Sequence, residues 1–298
     1  MARTVKKTSN TTETLVEDRG AGEPVTPPLK RTFRLAVTNL KGGVAKTTTA
    51  VNVAWGLVDA GLSCLIVDLD MQANATSDLG FDITEVRENG LNMASVLRNQ
   101  CEIDGILLQY GETDLWVAPS SKALTDAERM LSNEIGGEKR LAQKLKAVEG
   151  RFDVIIFDCG PNLNLLTINA LSLADYLIIP VQTEYLAAHG TLSLLDTVAQ
   201  VRDNYNPGLT ILPILPTMYT AKNSQEQATL GELNRLVSDL VPIFEPVPRA
   251  TVFSKASAAG HPALRASARS KAVGTYRDYV KLILKHIRAA QAAQGKAG

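Results

Sequence analysis

The stretch LKGGVAKTTT, Leu40–Thr49, decides the fold of this chain. An apolar run at 33–37 precedes it, and an apolar pattern with helical spacing begins at Ala50. A glycine-rich loop between a strand and a helix is the setting in which a phosphate-binding loop forms. The backbone N–H groups from Gly42 to Thr48 would then point at a phosphate, helped by the positive end of the following helix. A tight turn with incidental lysines is the alternative, and the combination of two glycines, two lysines and three threonines argues against it.

The two lysines of this loop have different predicted roles. Lys46 would reach the β- and γ-phosphates of a nucleotide, and the hydroxyl of Thr47 would ligate Mg²⁺. Lys41 lies too early in the loop to touch the terminal phosphates of its own nucleotide easily, and it is better placed to reach across a dimer interface. The sequence therefore predicts ATP and Mg²⁺ as cofactors, with a nucleotide-binding set of Lys41, Gly42, Gly43, Val44, Ala45, Lys46, Thr47 and Thr48.

Two further apolar runs end in aspartate. The run SCLIV at 63–67 leads into DLDMQAN, and alternation along the strand places Asp68 and Asp70 on the same side at the carboxyl edge of the sheet. A carboxylate there can orient an attacking water or hold a metal through its hydration shell, whereas a helix cap or a surface acid is the alternative for either residue alone. The run DVIIFD ends in Asp158, which would contact Mg²⁺ through water. We predict a catalytic set of Lys41, Lys46 and Asp70, and metal ligands Thr47 and Asp158.

These motifs resemble those of the ParA/Soj family of partition ATPases. KGGVAKTTT matches the pattern K-G-G-x-x-K-[ST], VDLDMQAN resembles VDxDPQxN, and FDCGPNLNLLTINAL resembles FDxPPxLxxLTxNAL. The stretches ADYLIIPVQTEY, ILPTMY and PRATVFSKAS extend the similarity over residues 33–285. The resemblance implies a P-loop NTPase of the deviant Walker A type, within the MinD/ParA superfamily. It also implies that the adenine lies near Met218 and Pro248.

The function implied by this resemblance is hydrolysis of ATP to ADP and phosphate by a dimer that sandwiches two nucleotides. Such a dimer binds DNA non-specifically and segregates plasmid or chromosomal DNA with a centromere-binding ParB-type adaptor, in the cytoplasm and on the nucleoid. Two alternatives remain open from the sequence. One is a nucleoid-tracking ATPase that positions a protein cargo, and the other is a MinD-like division regulator associated with the membrane.

Five residues depart from the family pattern. Ala45 replaces a frequent Gly, Met71 and Gly160 replace prolines, and Ala250 stands where Asn often contacts the nucleotide. Val252 stands where the family often has a DNA-contacting Arg. Contact with DNA therefore depends on other cations of this region, for which we predict Lys255, Arg265, Arg269 and Lys271.

Alternating strand and helix patterns predict an α/β fold, with a parallel sheet covered by helices on both faces. The predicted strands lie near 33–38, 63–68, 115–118, 153–158, 176–181 and 210–215. A short helix is predicted to start within 90–97, and a last helix, over 271–292, carries an apolar stripe. Residues 1–31 are predicted to be a disordered tail, 32–290 an ATPase domain and 291–298 a flexible tail.

Composition excludes several classes of protein. No apolar run approaches the 18 or so residues of a membrane span, and the basic amino terminus lacks the apolar stretch of a secretory signal. Cys64, Cys101 and Cys159 are widely spaced, which favours reduced thiols over a disulfide framework. An iron–sulfur dimer related to nitrogenase reductase is disfavoured, because nothing marks a pair of interface cysteines.

A net charge of zero conceals a strong asymmetry. From Val247 to Gly298 the chain carries ten Lys and Arg but a single acid, Asp278, so a charge of +9 there balances −9 elsewhere. This one-sided run indicates a polyanionic partner, and the absence of a base-reading pattern favours contact with the phosphate backbone. A solvated, lysine-rich helix is the alternative. Stable membrane binding is not expected, because the stretch 289–298 has no bulky apolar residues.

Overall fold

The computed structural model describes Leu29 and residues 31–266 and 270–294. The strands of this part of the chain are β1 (Phe33–Val37), β2 (Cys64–Leu69), β3 (Leu108–Gln109), β4 (Leu115–Ala118), β5 (Val154–Cys159), β6 (Tyr176–Ile178), β7 (Pro180–Gln182), β8 (Thr210–Ile211) and β9 (Leu215–Thr217). The helices are α1 (Lys46–Asp59), α2 (Asn74–Asp78), α3 (Ile83–Glu88), α4 (Met93–Leu97), α5 (Leu124–Ser132), α6 (Arg140–Leu145), α7 (Leu165–Leu173), α8 (Ala187–Asn204), α9 (Ser224–Val237), α10 (Val252–Ala258), α11 (Ala263–Ala266) and α12 (Lys271–Gln294).

Seven strands form one sheet in the order β3-β4-β2-β5-β1-β6-β8. Its pairs are parallel except for β3 with β4. The central strands β2 and β5 are buried along their whole length, which explains their unbroken apolar sequences. Helices cover both faces, with α1 and α12 packed on one and α5, α7 and α8 on the other. The predicted α/β fold is therefore confirmed.

The predicted strands at 176–181 and 210–215 were wrong in extent. The first is divided into β6 and β7, and the second into β8 and β9. β7 pairs with β9 in a separate two-stranded sheet. Pro180 begins β7 and Pro213 lies between β8 and β9, and a proline cannot donate a hydrogen bond to a neighbouring strand.

The sequence between 82 and 112 contains elements that the pattern did not predict. The helix α3 is one of them, and its first turn is capped by the carboxylate of Asp82, which accepts from the N–H groups of Thr84 and Glu85. The antiparallel edge strand β3 is another, and its two residues are too few to show a periodicity. The short helix expected within 90–97 is present as α4.

Both predicted domain boundaries lie inside the packed chain. The N–H of Leu29 donates to Asp153 at 2.8 Å, and Arg31 forms an ion pair with Asp175 at 2.8 Å, so contacts begin before residue 32. At the other end α12 continues to Gln294, beyond the predicted boundary at 290. Residues 1–28 and 295–298, which carry most of the predicted tails, lie outside the described residues.

The last helix packs directly on the helix that follows the phosphate-binding loop. A Cβ added to Gly56 of α1 would lie 2.7 Å from a methyl group of Val280, so glycine allows α1 and α12 to approach this closely. The hydroxyls of Thr49 and Tyr276 form a buried hydrogen bond of 2.8 Å across the same contact. The predicted apolar stripe of this helix is thus core packing. None of the helices among the described residues is both long and apolar enough to cross a membrane.

Candidate nucleotide site

The phosphate-binding loop leaves β1 at the middle of the sheet and ends at the first turn of α1. Gly43 has a φ of +75°, in the left-handed region that favours glycine. Gly42 and Gly43 are exposed, and a Cβ added to either would meet no atom within 4 Å. The loop therefore has an open outer side, next to the N-terminus of a fourteen-residue helix, as a bound phosphate requires.

Ala45 is strained at the turn from loop to helix. Its φ is +67°, in the left-handed region, where a residue with a Cβ is less stable by roughly 1–2 kcal/mol. Its carbonyl oxygen accepts from the N–H of Thr49 at 2.9 Å and from the hydroxyl of Thr49 at 2.7 Å. These hydrogen bonds to α1 fix the turn. The left-handed backbone therefore has a cost in free energy at Ala45, which a Gly at this position would not have.

Lys46 points back into the loop. Its ammonium is buried and donates to the carbonyl oxygen of Lys41 at 3.0 Å. Burial lowers the pKa of Lys46, whereas the nearby carboxylates of Asp158 and Asp70 act to raise it. An ammonium has three donors, so a phosphate can bind to those that this hydrogen bond does not use.

Two buried carboxylates lie side by side on neighbouring strands. Asp68 and Asp158 face each other in the register of β2 and β5, and both are fully buried. The carboxylate of Asp68 is stabilised by three hydrogen bonds. It accepts from the N–H and the hydroxyl of Thr76 at 3.0 and 2.7 Å and from the N–H of Asp70 at 3.2 Å. Neither oxygen of Asp158 accepts a hydrogen bond of normal geometry among the described residues, although the side chain of Thr47 is close enough to act on the pKa of this carboxyl.

The adjacent buried carboxylates of Asp68 and Asp158 favour the binding of a cation. Burial and the charge of Asp68 raise the pKa of Asp158, while Thr47 and Lys46 act in the opposite direction. Two adjacent buried carboxylates are not both ionised unless positive charge is close. The described residues include no cluster of three or more His, Cys, Asp or Glu side chains that could hold a metal. Mg²⁺ fits such a site, because it keeps several waters and takes a few protein oxygens together with phosphate oxygens. Thr47 and Asp158 are the residues that would hold it.

Asp70 lies in the loop between β2 and α2, with its side chain almost buried. Its carboxylate accepts from the N–H of Gln72 at 3.0 Å, and its carbonyl oxygen accepts from the hydroxyl of Ser120 at 2.6 Å. A Cβ on Gly160 would lie 3.7 Å from the Asp70 carboxylate, so the glycine leaves that side uncovered. A cavity of about 10 Å³ opens there, lined by Asp70, Met71, Glu128, Asn162 and other residues. This is about the space of one water molecule.

The side chain of Lys41 is half exposed and reaches Glu184, which follows β7. Its ammonium forms an ion pair with Glu184 of the same chain, and the two side chains are 47% and 49% exposed. Glu184 was not predicted as a functional residue, although it lies in the stretch ADYLIIPVQTEY. Tyr185 and Leu186 follow it and are 75% and 52% exposed, which is unusual for large apolar side chains. A half-exposed ion pair contributes ~0–1 kcal/mol, so Lys41 is free to exchange this partner for another anion.

The segment predicted to contact the adenine packs against the loop. The N–H of Tyr219 donates to Val247 at 3.0 Å and that of Arg249 to Tyr219 at 2.9 Å, which places the Met218 and Pro248 segments side by side. The hydroxyl of Thr217 donates to the carbonyl oxygen of Val44 at 3.1 Å, and the bond is buried. Thr217 therefore supports the loop. The sequence analysis missed it, although it directly precedes a predicted site residue.

The predicted DNA-contacting residues differ in their surroundings. Lys255 is exposed on α10, and Lys271 lies 3.9 Å from Glu245 in an exposed pair. The guanidinium of Arg265 donates to the hydroxyl of Tyr110 at 2.9 Å and lies 5.4 Å from the ring centroid of Trp55. Arg269 lies outside the described residues.

The glycine-rich loop, the buried Lys46 and the strand-end aspartates at the carboxyl edge of a parallel sheet define a P-loop nucleotide-binding protein. The additional lysine at the start of the loop makes it one of the deviant Walker A type. A family model described as an AAA domain matches residues 33–211. The chain belongs to the ParA/Soj family of partition-type ATPases.

Comparison with known proteins supports this assignment along most of the chain. The sporulation initiation inhibitor protein Soj of Bacillus subtilis is 37% identical over 247 residues, which cover 83% of this chain and 96% of Soj. The chromosome partitioning protein ParA of Myxococcus xanthus is 35% identical over 243 residues, or 81% of this chain and 84% of that protein.

A similar solved structure contains nucleotide and magnesium. Cobyrinic acid a,c-diamide synthase from Mycobacterium smegmatis, with bound ADP and magnesium, is 32% identical and superposes with a TM-score of 0.75, covering 87% of this chain and 96% of that one. The same protein has been solved with an ATP analogue and magnesium. ATP and Mg²⁺ are therefore the cofactors of this site, as the sequence predicted.

The strain at Ala45 predicts a stabilising substitution. Ala45→Gly relieves the left-handed penalty and increases the entropy of the unfolded chain, for a net gain of about 0.5–1 kcal/mol in the free energy of unfolding. Nucleotide affinity should stay the same or become modestly tighter. Urea denaturation measures the first quantity and titration with ATP the second.

The matched control is Ala199→Gly, at an exposed position inside α8, which should lower the free energy of unfolding by about 0.5–1 kcal/mol. A loss of stability in both variants would show that the methyl group of Ala45 makes a useful contact.

The contact between Thr217 and the loop predicts a second effect. Thr217→Val keeps the shape of the side chain but leaves the buried carbonyl of Val44 without its donor, which costs about 1–3 kcal/mol. We expect lower stability and weaker ATP binding, measured by denaturation and by calorimetry. Thr210→Val, at an exposed position of β8, should change both by less than about 0.5 kcal/mol. Equal effects of the two substitutions would show that Thr217 does not support the phosphate-binding loop.

Proposed function

We propose that this chain is an ATPase that dimerises around two ATP molecules, binds DNA non-specifically and segregates DNA with a ParB-type adaptor. The observation that carries this proposal is the divergence of the two loop lysines. Lys46 is buried and donates to a carbonyl oxygen of its own loop, whereas Lys41 is half exposed and pairs with Glu184. One lysine is thus available for the nucleotide of the same subunit and the other for a second nucleotide.

Within one subunit, the loop amides and the ammonium of Lys46 would hold the phosphates of ATP. Mg²⁺ would supply charge neutralisation at the phosphates, and Thr47 and Asp158 are the residues that would hold it. The chain itself then needs a group that orients the attacking water. Asp70 is the candidate, because it follows the carboxyl end of β2 and its charge acts on the ammonium of Lys46 in the phosphate-binding loop.

The proposed dimer follows from the position of Lys41. When two subunits face each other, Lys41 would leave Glu184 and bind the phosphates of the partner's ATP. The γ-phosphate would then be part of the interface, so that ATP favours the dimer and hydrolysis releases it. The exposed Tyr185 and Leu186, next to Glu184, provide apolar surface on the same side of the chain.

Non-specific DNA is the proposed partner of the basic carboxyl region, with contacts from Lys255, Arg265, Arg269 and Lys271. Pairing two basic surfaces in a dimer would multiply the phosphate contacts and steepen the dependence of affinity on salt. The names of the ParA and Soj relatives support a partition role. The proposed location is the cytoplasm, on the nucleoid.

The membrane-associated alternative is disfavoured by the packing of α12. Its apolar side chains lie in the core against α1 and are not available to insert into lipid. The alternative that positions a protein cargo uses the same ATP and DNA sites. The two roles differ in the adaptor, so the proteins that stimulate hydrolysis in the presence of DNA distinguish them.

Removal of the Asp70 carboxylate separates binding from hydrolysis. Asp70→Ala should bind ATP normally but hydrolyse it more slowly by about 10²–10⁴-fold, since positioning and polarising water supplies rate enhancement of this size. The slow variant should remain as an ATP dimer on DNA. Phosphate release and gel filtration with DNA check the two parts. Hydrolysis at the wild-type rate would show that Asp70 does not orient the water, and Asp68 or Asp158 would become the candidate.

Removal of the Lys41 ammonium tests the dimer. Lys41→Ala should leave ATP binding by the monomer largely intact but lose ATP-induced dimerisation and stimulated hydrolysis. We expect Lys41→Arg to fail also, because a planar guanidinium does not replace a compact ammonium among crowded phosphates. Sedimentation with a non-hydrolysable ATP analogue measures the dimer.

The matched control for this test is Glu184→Gln, which breaks the same ion pair but keeps the lysine. It should still dimerise with the ATP analogue. Normal dimerisation of Lys41→Ala would rule out the cross-subunit role, whereas a defect in both variants would assign the effect to the ion pair.

A further inference from the structure

The short helix α2 connects the proposed water-orienting residue to the carboxyl-terminal part of the chain. It has five residues, Asn74–Asp78, and begins directly after the turn that carries Asp70. An isolated helix of this length is not stable in water, so contacts with other elements must hold it in place. The position of Asp70 therefore depends on how α2 is docked.

One set of contacts holds α2 against the sheet. The hydroxyl of Thr76 donates to Asp68 at 2.7 Å and accepts from the N–H of Ser120 at 3.1 Å. The N–H of Ala73 closes the preceding turn by donating to the carbonyl oxygen of Asp70 at 2.9 Å. Ala73 has a φ of +53°, in the left-handed region. A residue with a Cβ stays in that region only where the surrounding contacts enforce it.

The other end of α2 is bonded to α10. The hydroxyl of Ser257, on α10, donates to the carboxylate of Asp78, the last residue of α2, at 2.6 Å. Burial raises the pKa of Asp78, and this hydrogen bond acts to lower it. The bond therefore compensates in part for the burial of the Asp78 carboxylate.

Two glycines bring the backbones of these elements into direct contact. Gly80 lies just beyond α2 and Gly260 just beyond α10, with φ values of +77° and +69°. A Cβ added to Gly260 would lie 2.7 Å from the Cα of Gly80. Carbon atoms in contact prefer a separation of about 3.5–4.0 Å, so a side chain on Gly260 would push the two elements apart. The glycine pair and the hydrogen bond between Ser257 and Asp78 together form the α2–α10 contact.

We propose that the α2–α10 contact positions Asp70 for the hydrolysis of ATP. Its residues are positioning residues, because they act on the reaction only through the turn that joins Asp70 to α2. The inference rests on the proposed role of Asp70 and adds α10 to the elements that support it. No residue of the contact belongs to the phosphate-binding loop. Loss of the contact should therefore lower kcat and leave ATP binding intact.

The first test separates the two backbones with Gly260→Ala. We expect kcat at saturating Mg·ATP to fall about 10–100-fold, since a displacement of ~1 Å at an active site can cost ~10²-fold in rate. The dissociation constant for ATP should stay at the wild-type value. Phosphate release measures kcat, and a fluorescent ATP analogue measures the affinity.

The matched control is Gly150→Ala. Its φ of +76° gives a comparable left-handed strain, but an added Cβ would meet no atom within 4 Å. This variant should keep the wild-type kcat. An equal loss of kcat in the two variants would overturn the inference, as would a wild-type kcat in Gly260→Ala or a loss of ATP affinity without a change in kcat.

A milder test removes the hydrogen bond alone, and it decides the matter if Gly260→Ala does not fold. Ser257→Ala should lower kcat about 2–10-fold, the range expected for one net hydrogen bond. Ser257→Thr retains the hydroxyl and should restore most of the lost rate. Ser254→Ala is the control on the same helix, because the exposed hydroxyl of Ser254 donates to Thr251 at 3.0 Å instead. The inference is wrong if Ser257→Ala behaves like this control.

The same substitutions in an Asp70→Ala background show whether the contact acts through Asp70. There Gly260→Ala and Ser257→Ala should cause no further loss of kcat, because the group that they position has been removed. A further loss as large as in the wild-type background would reject the positioning role.

Failure of the proposed function gives a different result. If Asp70→Ala alone hydrolyses ATP at the wild-type rate, the proposed role of Asp70 is wrong, and the inference that rests on it is wrong as well. If Asp70→Ala is slow while Gly260→Ala and Ser257→Ala are normal, the proposed function stands and only the role of the α2–α10 contact is rejected.

Discussion

The structure depends on the burial of two aspartates side by side at the carboxyl edge of the sheet. The register of β2 and β5 fixes Asp68 opposite Asp158, and the neighbouring β1 delivers the phosphate-binding loop to the same edge. Asp68 is stabilised by three donors, whereas Asp158 accepts no hydrogen bond of normal geometry among the described residues. A protein rarely leaves a buried carboxylate in this condition unless a ligand completes its surroundings. Lys46 and a bound magnesium ion would provide the missing positive charge.

The same edge is connected to the carboxyl-terminal helices through α1. This helix begins at Lys46, and its first two turns hold both carboxyl-terminal helices. Thr49 is bonded to Tyr276 of α12, and the side chain of Asn52 accepts from the N–H of Leu264 at 3.0 Å. Asn52 also donates to the carbonyl oxygen of Thr48 at 2.7 Å. Short hydrogen bonds therefore join the helix that follows the phosphate-binding loop to α11 and α12.

The fold and the centre of the site could be predicted from the sequence, because their signals are local. An apolar strand that ends in aspartate, or a loop such as KGGVAKTTT, can be recognised from fewer than about ten consecutive residues. Thr217 and Glu184 could not be found in this way, since their importance comes from contacts with Val44 and Lys41 that lie far away in the chain. The division of the strands at Pro180 and Pro213 was available from the sequence, but a continuous apolar pattern concealed it.

The departures from the family pattern lie around the nucleotide and act through backbone freedom. Ala45 narrows the conformations open to the phosphate-binding loop and holds it at a strained φ of +67°. Met71 and Gly160 have the opposite effect, because each replaces a proline in a loop that borders Asp70. Ala45 thus restricts the backbone conformations of the phosphate-binding loop. The two loops around Asp70, the proposed water-orienting residue, can adopt more backbone conformations than the prolines of the family pattern would allow. Ordering of these loops then has an entropic cost that ATP alone must meet in the monomer. In the dimer, contacts from a second subunit and a bound adaptor would share this cost.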